Sequence, residues 1–203
     1  MKTLTFSLAA AMLVLSGCSS EPPAAEKKAA APPAEPVTGR QALQKMYIAA
    51  RGWAADIQPM RVMSILLPDV KAVPGKAPAW RALFVSPSQG KAREYTYSVI
   101  ESEGNLHQGV FGGQDQSYST SGAAKPFIMA AIKVDSDQAY ETALKKGAEY
   151  DKKNPGKPIN FLLEKNDKFP DVSWRVIWGE SAGTSNFSVF VDASTGGYLE
   201  TVH

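Results

Sequence analysis

Two stretches of the chain show helical periodicity, and the first begins after Thr38. Apolar side chains recur there at steps of three and four up to Ile57, and Pro59 ends the pattern. This spacing puts them on one face of an amphipathic helix. Thr38 and Gln41 also fit a capping box, whose side chains satisfy free backbone N–H groups of the first turn. The pattern predicts a helix over residues 39–57.

The second helix is predicted to begin near Asp135 or Ser136. Asp135 and Gln138 form another capping box, and small or apolar residues keep helical spacing as far as Gly147. The Asn-Pro-Gly sequence at 154–156 should end this helix, because Pro and Gly break helical backbone.

Segments with alternating apolar and polar residues follow each helix. Period-two patterning is typical of half-buried antiparallel strands. A further strand-like segment, 127–133, leads into the second helix. The predicted strands are 60–67, 80–85 and 92–102 in the first half, and 159–164, 173–178 and 186–192 in the second.

The two halves resemble each other. Trp-Arg-Ala-Leu-Phe at 80–84 parallels Trp-Arg-Val-Ile-Trp at 174–178, and a Ser- and Gly-rich turn follows each. One helix can bury its apolar face on one small sheet. We therefore predict an α+β fold with two repeats, each consisting of one helix packed on a small antiparallel sheet. The repeats would span 39–110 and 127–203, joined by a polar connector at 111–126.

The N-terminus has the layout of a secretory signal. Lys2 precedes an apolar run over residues 4–15. That run is shorter than the roughly 20 residues that a membrane-spanning helix needs. It ends in Leu15-Ser16-Gly17-Cys18, which resembles the bacterial lipobox. The alternative is an ordinary signal peptide followed by an incidental Cys.

The lipobox resemblance implies a lipoprotein. Signal peptide 1–17 would be removed, and Cys18 would carry acyl chains such as palmitate as a membrane anchor. Several acyl chains hold a protein firmly on a bilayer. Ser19, where inner-membrane lipoproteins carry Asp, implies the outer membrane with the domain facing the periplasm.

Residues 18–38 follow as a tether rich in Pro and Ala. The segment has no large apolar residue except Val37, so it cannot build a core and is expected to be an extended spacer. A Pro-rich ligand for a partner protein is the alternative.

The net charge and the single Cys exclude some kinds of binding site. The chain of 203 residues has a formal net charge of +2, which is too balanced to indicate nucleic-acid binding. Cys18 is its one Cys, which excludes an internal disulfide and a Cys-rich zinc site. We therefore expect no nucleic-acid partner.

The second half resembles a PepSY domain. The likeness consists of the helix at 136–147, the Trp-x-Val strand at 172–178 and the run Val-Asp-Ala-Ser-Thr-Gly near the C-terminus. Gly197 and Tyr198 depart from the family's usual small-charged pair, and the first half is a diverged copy. The resemblance implies a small non-catalytic module outside the cytoplasm, since related domains occur in the propeptides of secreted metallopeptidases, where they inhibit or chaperone.

The residues of that run have a structural explanation as well. The Asp192 carboxylate can accept hydrogen bonds from backbone N–H groups two or three residues on, and Gly196 can adopt positive φ to close a turn.

Catalytic and metal chemistry finds little support in the sequence. His107 and His203 are the only imidazoles; the first is expected to be an exposed polar residue, and the second either to fray at the terminus or to pair at a sheet edge. Of two pairs of neighbouring acids, the first fits a hairpin turn, and the second, at the start of the second predicted helix, fits a helix N-terminus. We expect no catalytic residue, no metal and no cofactor. The acid pairs are Glu101 with Glu103 and Asp135 with Asp137.

Arg81 and Arg175 occupy matching positions, and they either flank an exposed binding face or solubilise the sheet. The four Trp residues fall on apolar stripes and are expected in the core. The sequence favours a non-catalytic, membrane-anchored lipoprotein that binds or regulates a protein partner, for example a peptidase or envelope protein. The alternatives are a structural envelope lipoprotein of assembly or stress response, and a carboxylate-dependent hydrolase.

Overall fold

Two helices and eight strands make up the fold in this computed structural model, which describes residues 34–104, 106–119 and 121–203. The signal peptide, Cys18 and most of the tether lie outside the described residues. In chain order the elements are α1 (Gly39–Ala50), β1 (Gln58–Ile65), β2 (Ala79–Ser86), β3 (Lys91–Ser98), β4 (Gly109–Ser117), a 3₁₀ turn (Met129–Ala131), α2 (Ser136–Lys153), β5 (Ile159–Glu164), β6 (Ser173–Trp178), β7 (Ser188–Asp192) and β8 (Tyr198–Val202).

All eight strands belong to one antiparallel sheet, so the predicted fold class is wrong. The strand order is β4-β3-β2-β1-β5-β6-β7-β8. Each half supplies one helix followed by four strands, but the strands do not form two small sheets because β1 pairs directly with β5. Val62 and Leu163, which oppose each other there, are both fully buried. A single apolar layer therefore runs across the middle of the sheet and is continuous only when the halves are joined.

The predicted element boundaries are partly confirmed. Helix α2 begins at Ser136, and β5 and β6 match their predicted spans. Helix α1 ends at Ala50 rather than Ile57, because the chain turns at Gly52, where the backbone N–H bonds back to the Ala49 carbonyl. Ile57 is nevertheless buried, since a turn can deliver an apolar side chain to the core as well as a helix can.

Strand β4 lies in the segment expected to connect the halves. Most of its residues are exposed, and its Gly, Gln and Ser residues show no alternation. Backbone pairing with β3 holds it in place, which a hydrophobic pattern does not reveal. The strand-like segment before α2 forms a 3₁₀ turn instead.

Both helices pack on the same face of the sheet around one core. Trp80, Trp174 and Trp178 are fully buried there, as predicted. Trp53 is half-buried, and the Arg93 guanidinium lies 5.0 Å from its ring centroid. The other side of the sheet, which we call the open face, carries no helix among the described residues.

The N-termini of the two helices meet above the middle of the sheet. The Thr38 hydroxyl donates to Asp135 Oδ2 at 2.6 Å, and the Arg40 N–H donates to Asp135 Oδ1 at 2.8 Å. The Gly39 N–H donates to Ser136 Oγ at 2.8 Å. Both predicted capping boxes are present as well. Each helix therefore relies on the other half of the chain to satisfy part of its first turn.

Two tryptophans support this junction from below. The Trp80 and Trp174 rings meet edge to face with centroids 6.3 Å apart. Their indole N–H groups donate to the carbonyls of Val37 and Val134, at 3.0 and 2.9 Å. Only Gly fits at position 39, because a Cβ there would lie 2.5 Å from Trp174 Cη2.

Candidate functional site

The open face differs between the two halves, and the difference concerns Arg81 and Arg175. The sequence placed both arginines on a face that was either a binding surface or a solubilising one. Trp80 precedes Arg81 on β2, and Trp174 precedes Arg175 on β6. Both tryptophans point toward the helices, so both arginines lie on the open face.

Arg175 is enclosed by its neighbours. Its guanidinium lies 5.4 Å from the Phe190 ring centroid, and its Nε donates to Ser188 Oγ at 2.9 Å. The Phe169 ring, from the loop between β5 and β6, packs on Phe190 with centroids 5.1 Å apart. Burial lowers the pKa of the Arg175 guanidinium, partly offset by Glu164. Arg175 therefore stabilises a covered part of the face.

Arg81, in contrast, borders an accessible depression. A groove of about 560 Å³ runs between β2, β3, β4 and the loop that follows β3. A hollow of about 310 Å³ over β1 and β5 adjoins it, and Ile65 and Arg81 line both. We call this continuous depression the open-face groove. Its size falls within the range of natural binding clefts.

The floor of the open-face groove combines one ion pair with one unsatisfied hydroxyl. Arg81 Nε lies 3.2 Å from Glu94 Oε1, and about half of the Arg81 side chain remains exposed. Thr96, which sits opposite Arg81 on β3, has a buried Oγ1 without a hydrogen-bond partner. Buried polar atoms are nearly always paired, so this hydroxyl is an exception, and it lies beneath the surface of the groove with less than 1 Å² accessible.

One wall of the open-face groove is the loop between β3 and β4. His107 packs on the Phe111 ring with centroids 4.6 Å apart, and its Nδ1 lies 2.7 Å from Glu101 Oε1. The Gln108 N–H donates to Glu101 Oε2 at 2.9 Å. That N–H, and secondarily His107, lowers the pKa of the Glu101 carboxyl. His107 is therefore part of the wall, and 45% of its side chain remains exposed, as expected.

Two large apolar side chains stand exposed on this part of the sheet. Met63 on β1 is 36% exposed, and Phe111 on β4 is 45% exposed. Aromatic residues, Met and Arg are the types enriched in protein interfaces. Together with Arg81, these side chains give the open-face groove the composition of a protein-binding surface.

The carboxyl groups with shifted pKa values fit structural roles. The Ser86 hydroxyl lowers the pKa of Asp56, with help from the Ser88 N–H. Arg93, and then Lys91, lowers the pKa of Asp115. A general acid needs a raised pKa, so Asp56, Glu101 and Asp115 give no support to the carboxylate-dependent hydrolase.

The acids singled out in the sequence are held in turns and caps. Asp135 caps α2, as predicted. Asp192 Oδ1 accepts the N–H groups of Ser194 and Thr195 at 2.7 and 2.9 Å, and Gly196 has φ of 77°. The structural explanation of the Asp192 turn is confirmed. At the C-terminus, His203 packs against the Phe187 ring with centroids 5.3 Å apart.

Most residues of the open-face groove escape sequence reasoning. Alternation in β3 does place Thr96 opposite to Tyr95, hence away from the core. What makes Thr96 a groove residue is the loop folding back beside it, and no periodic signal marks that contact. Met63 and Phe111 likewise look like ordinary strand residues in the sequence.

Comparisons with known proteins add little to this geometry. No protein-family model matches the chain, and no curated protein matches it. The resemblance to PepSY domains therefore stays a prediction. One solved structure that is similar is a candidate lipoprotein from Clostridium difficile 630, with 8% sequence identity, a TM-score of 0.46, and coverage of 79% of this chain and 91% of that one. At that TM-score the likeness supports no inference about fold or function.

Within the described ranges, neither helix is long and apolar enough to cross a bilayer.

Proposed function

We propose that this chain is a lipid-anchored protein of the bacterial cell envelope whose folded domain binds a protein partner at the open-face groove. The observation that carries the binding role is the combination, in one accessible depression, of exposed Met63 and Phe111 with the half-exposed Arg81. The anchoring role rests on the Leu-Ser-Gly-Cys sequence at 15–18.

The proposed partner is a polypeptide rather than a nucleic acid. The apolar side chains at the groove would be covered by apolar groups of the partner. The Arg81 guanidinium would donate to a partner carboxylate or carbonyl, either in place of Glu94 or in addition to it. Regulation of a peptidase, which the PepSY resemblance implies, is the finer form of this proposal. The domain would then act by occupying a surface of the enzyme, without chemistry of its own.

The anchor predicts the outcome of palmitate labelling. Wild type should incorporate labelled palmitate and sediment with membranes, whereas Cys18→Ser should lose both properties because the acylated thiol is gone. In a bacterium with two membranes, Ser19→Asp should keep the label but move the protein to the inner membrane. Equal labelling of wild type and Cys18→Ser would refute the anchor.

The binding surface predicts the outcome of photo-crosslinking in the native host. A photoreactive amino acid replacing Met63 in the full-length protein should capture a discrete partner. Adding Arg81→Glu should reduce that cross-link by about tenfold or more, because a reversed charge in the centre of an interface costs at least about 1.4 kcal/mol. The yield is measured by immunoblotting for the cross-linked species.

The matched control is Arg51→Glu, which makes the same charge change at the end of α1, away from the open face. It should leave the Met63 cross-link unchanged. Equal loss with both variants, or a cross-link indifferent to Arg81→Glu, would contradict binding at the open-face groove.

A further inference from the structure

A second cavity adjoins the open-face groove, and Leu66, Leu67 and Glu180 line both. It has a volume of about 780 Å³ and is enclosed by the β1–β2 loop (66–78), the second turn of α2, and the start of β5. We call it the loop cavity. Aliphatic and aromatic side chains make most of its wall, which suits an apolar ligand. They include Leu66, Leu67, Val70, Val73, Ile159 and Phe161.

The loop that closes this cavity is fastened to the rest of the domain. The Ser136 hydroxyl donates to the Gly75 carbonyl at 2.6 Å, and Ala77 exchanges backbone hydrogen bonds with Val37 at 3.0 and 3.1 Å. Gly75 has φ of 72°, and a Cβ there would collide with the backbone of Asp137. These contacts fix the C-terminal end of the loop, at residues 75–77, before a ligand enters.

The rim of the loop cavity is positively charged. Lys71, Lys76 and Lys157 line it, against the single acid Glu180. Lys157 Nζ donates to the Tyr150 hydroxyl at 2.7 Å. Lys71 and Lys76 form no salt bridge with any carboxylate in the described part of the chain.

A phenol side chain also lines the loop cavity. Tyr140 of α2 lines the loop cavity, and burial raises the pKa of its phenol, with a smaller contribution from Asp151. Its O–H therefore stays protonated at neutral pH and can donate to an anionic oxygen.

We propose that the loop cavity binds a free amphiphile that has one aliphatic chain and one anionic head group. The chain would lie against the apolar wall formed by Val70, Val73 and Phe161, and the head group would lie at the rim, where Lys71 and Lys76 supply positive charge. The residues that carry this site differ from Arg81, Thr96 and Phe111, so the two proposals can be tested separately, although Leu66, Leu67 and Glu180 border both depressions.

Calorimetric titration with a series of alkanoates tests the proposal. The full-length Cys18→Ser chain is the protein, since it lacks the acylation site. Affinity should rise by about fourfold for each CH₂ from octanoate to dodecanoate, as expected for burial of a methylene group. Dodecanol, which has the same chain without the charge, should bind at least about tenfold more weakly than dodecanoate.

Two variants assign the binding to this cavity. Lys71→Gln with Lys76→Gln should weaken dodecanoate to the level of dodecanol and leave dodecanol unchanged. Val70→Glu, in a loop and only half-buried, should weaken both ligands by about tenfold or more. Far-UV circular dichroism checks folding; if Val70→Glu unfolds, the exposed Lys71→Gln change alone still decides the head-group assignment.

Three outcomes would overturn the proposal. The first is dodecanol binding as tightly as dodecanoate in wild type, and the second is dodecanoate binding that ignores the lysine variants. The third is binding to phosphatidylglycerol vesicles without binding to dodecanoate, which would mean a membrane surface and not a free amphiphile. If the alkanoate titration fails but the Met63 cross-link still depends on Arg81, the proposed function stands and the amphiphile site is wrong. If alkanoates bind but the cross-link does not depend on Arg81, the amphiphile site stands and the proposed function is wrong.

Discussion

Trp174→Ala should lower the free energy of unfolding by about 3–5 kcal/mol, the cost typical of deleting a large buried aromatic side chain. Trp174 is fully buried beneath the junction of the two helices. The substitution leaves a cavity beside Trp80 and under Gly39, and it leaves the Val134 carbonyl without its indole donor. Urea unfolding followed by far-UV circular dichroism measures the change. Tryptophan fluorescence is unsuitable as the probe, because the substitution itself removes an indole.

The matched control is Trp53→Ala, the same substitution at a half-buried position near the end of α1. Its ring contacts the Arg93 guanidinium and packs at the margin of the core. We expect a loss of about 1–2 kcal/mol there, because the removed ring is only partly withdrawn from water. Equal losses in the two variants would mean that Trp174 is not the centre of the core.

Asp135→Ala should destabilise the domain by about 2–4 kcal/mol, which is large for a polar residue. The carboxylate accepts hydrogen bonds from Thr38 Oγ1, the Arg40 N–H and the Ser136 N–H. Its loss uncaps α2 and at the same time removes acceptors from the first turn of α1. Thr38 is buried, so its hydroxyl would lose the acceptor for its proton, although it would still accept the Gln41 N–H. Urea unfolding again supplies the measurement.

A double-mutant cycle separates the shared contact from ordinary capping. Thr38→Val combined with Asp135→Ala should cost less than the sum of the single changes, because both remove the same hydrogen bond. Asp167→Ala, which breaks only a surface ion pair with Lys125 at 3.7 Å, should have a much smaller effect. Strict additivity of Thr38→Val and Asp135→Ala would show that the two helix ends are not coupled.

Local elements of this fold follow from the sequence, whereas the way they join does not. The capping boxes at Thr38 and Asp135 and the alternation in β5 and β6 are short-range signals, and the structure confirms them. The pairing of β1 with β5 links Arg61 to Glu164, and nothing in either strand's own pattern states its partner. Similar halves equally permit two small sheets or one large one.

The candidate site shows the same division. Strand alternation correctly put Arg81 and Arg175 on the face away from the core, but it predicted the same degree of exposure for both side chains. Phe169 in the β5–β6 loop packs on Phe190, which in turn stacks with Arg175, whereas the loop after β3 forms a wall beside Arg81 and leaves it accessible. Loop placement depends on contacts distant in sequence, so the distinction between a covered and an open arginine required the structure.

The pairing of β1 with β5 also bears on how the chain folds. Within each half, neighbouring strands are also neighbours in sequence, so a helix and four strands can form early from local contacts. The central ladder is different: Arg61 and Glu164 are 103 positions apart. We therefore expect the closing of this central ladder to be the slow step, and the first half to depend on protection from aggregation until it occurs.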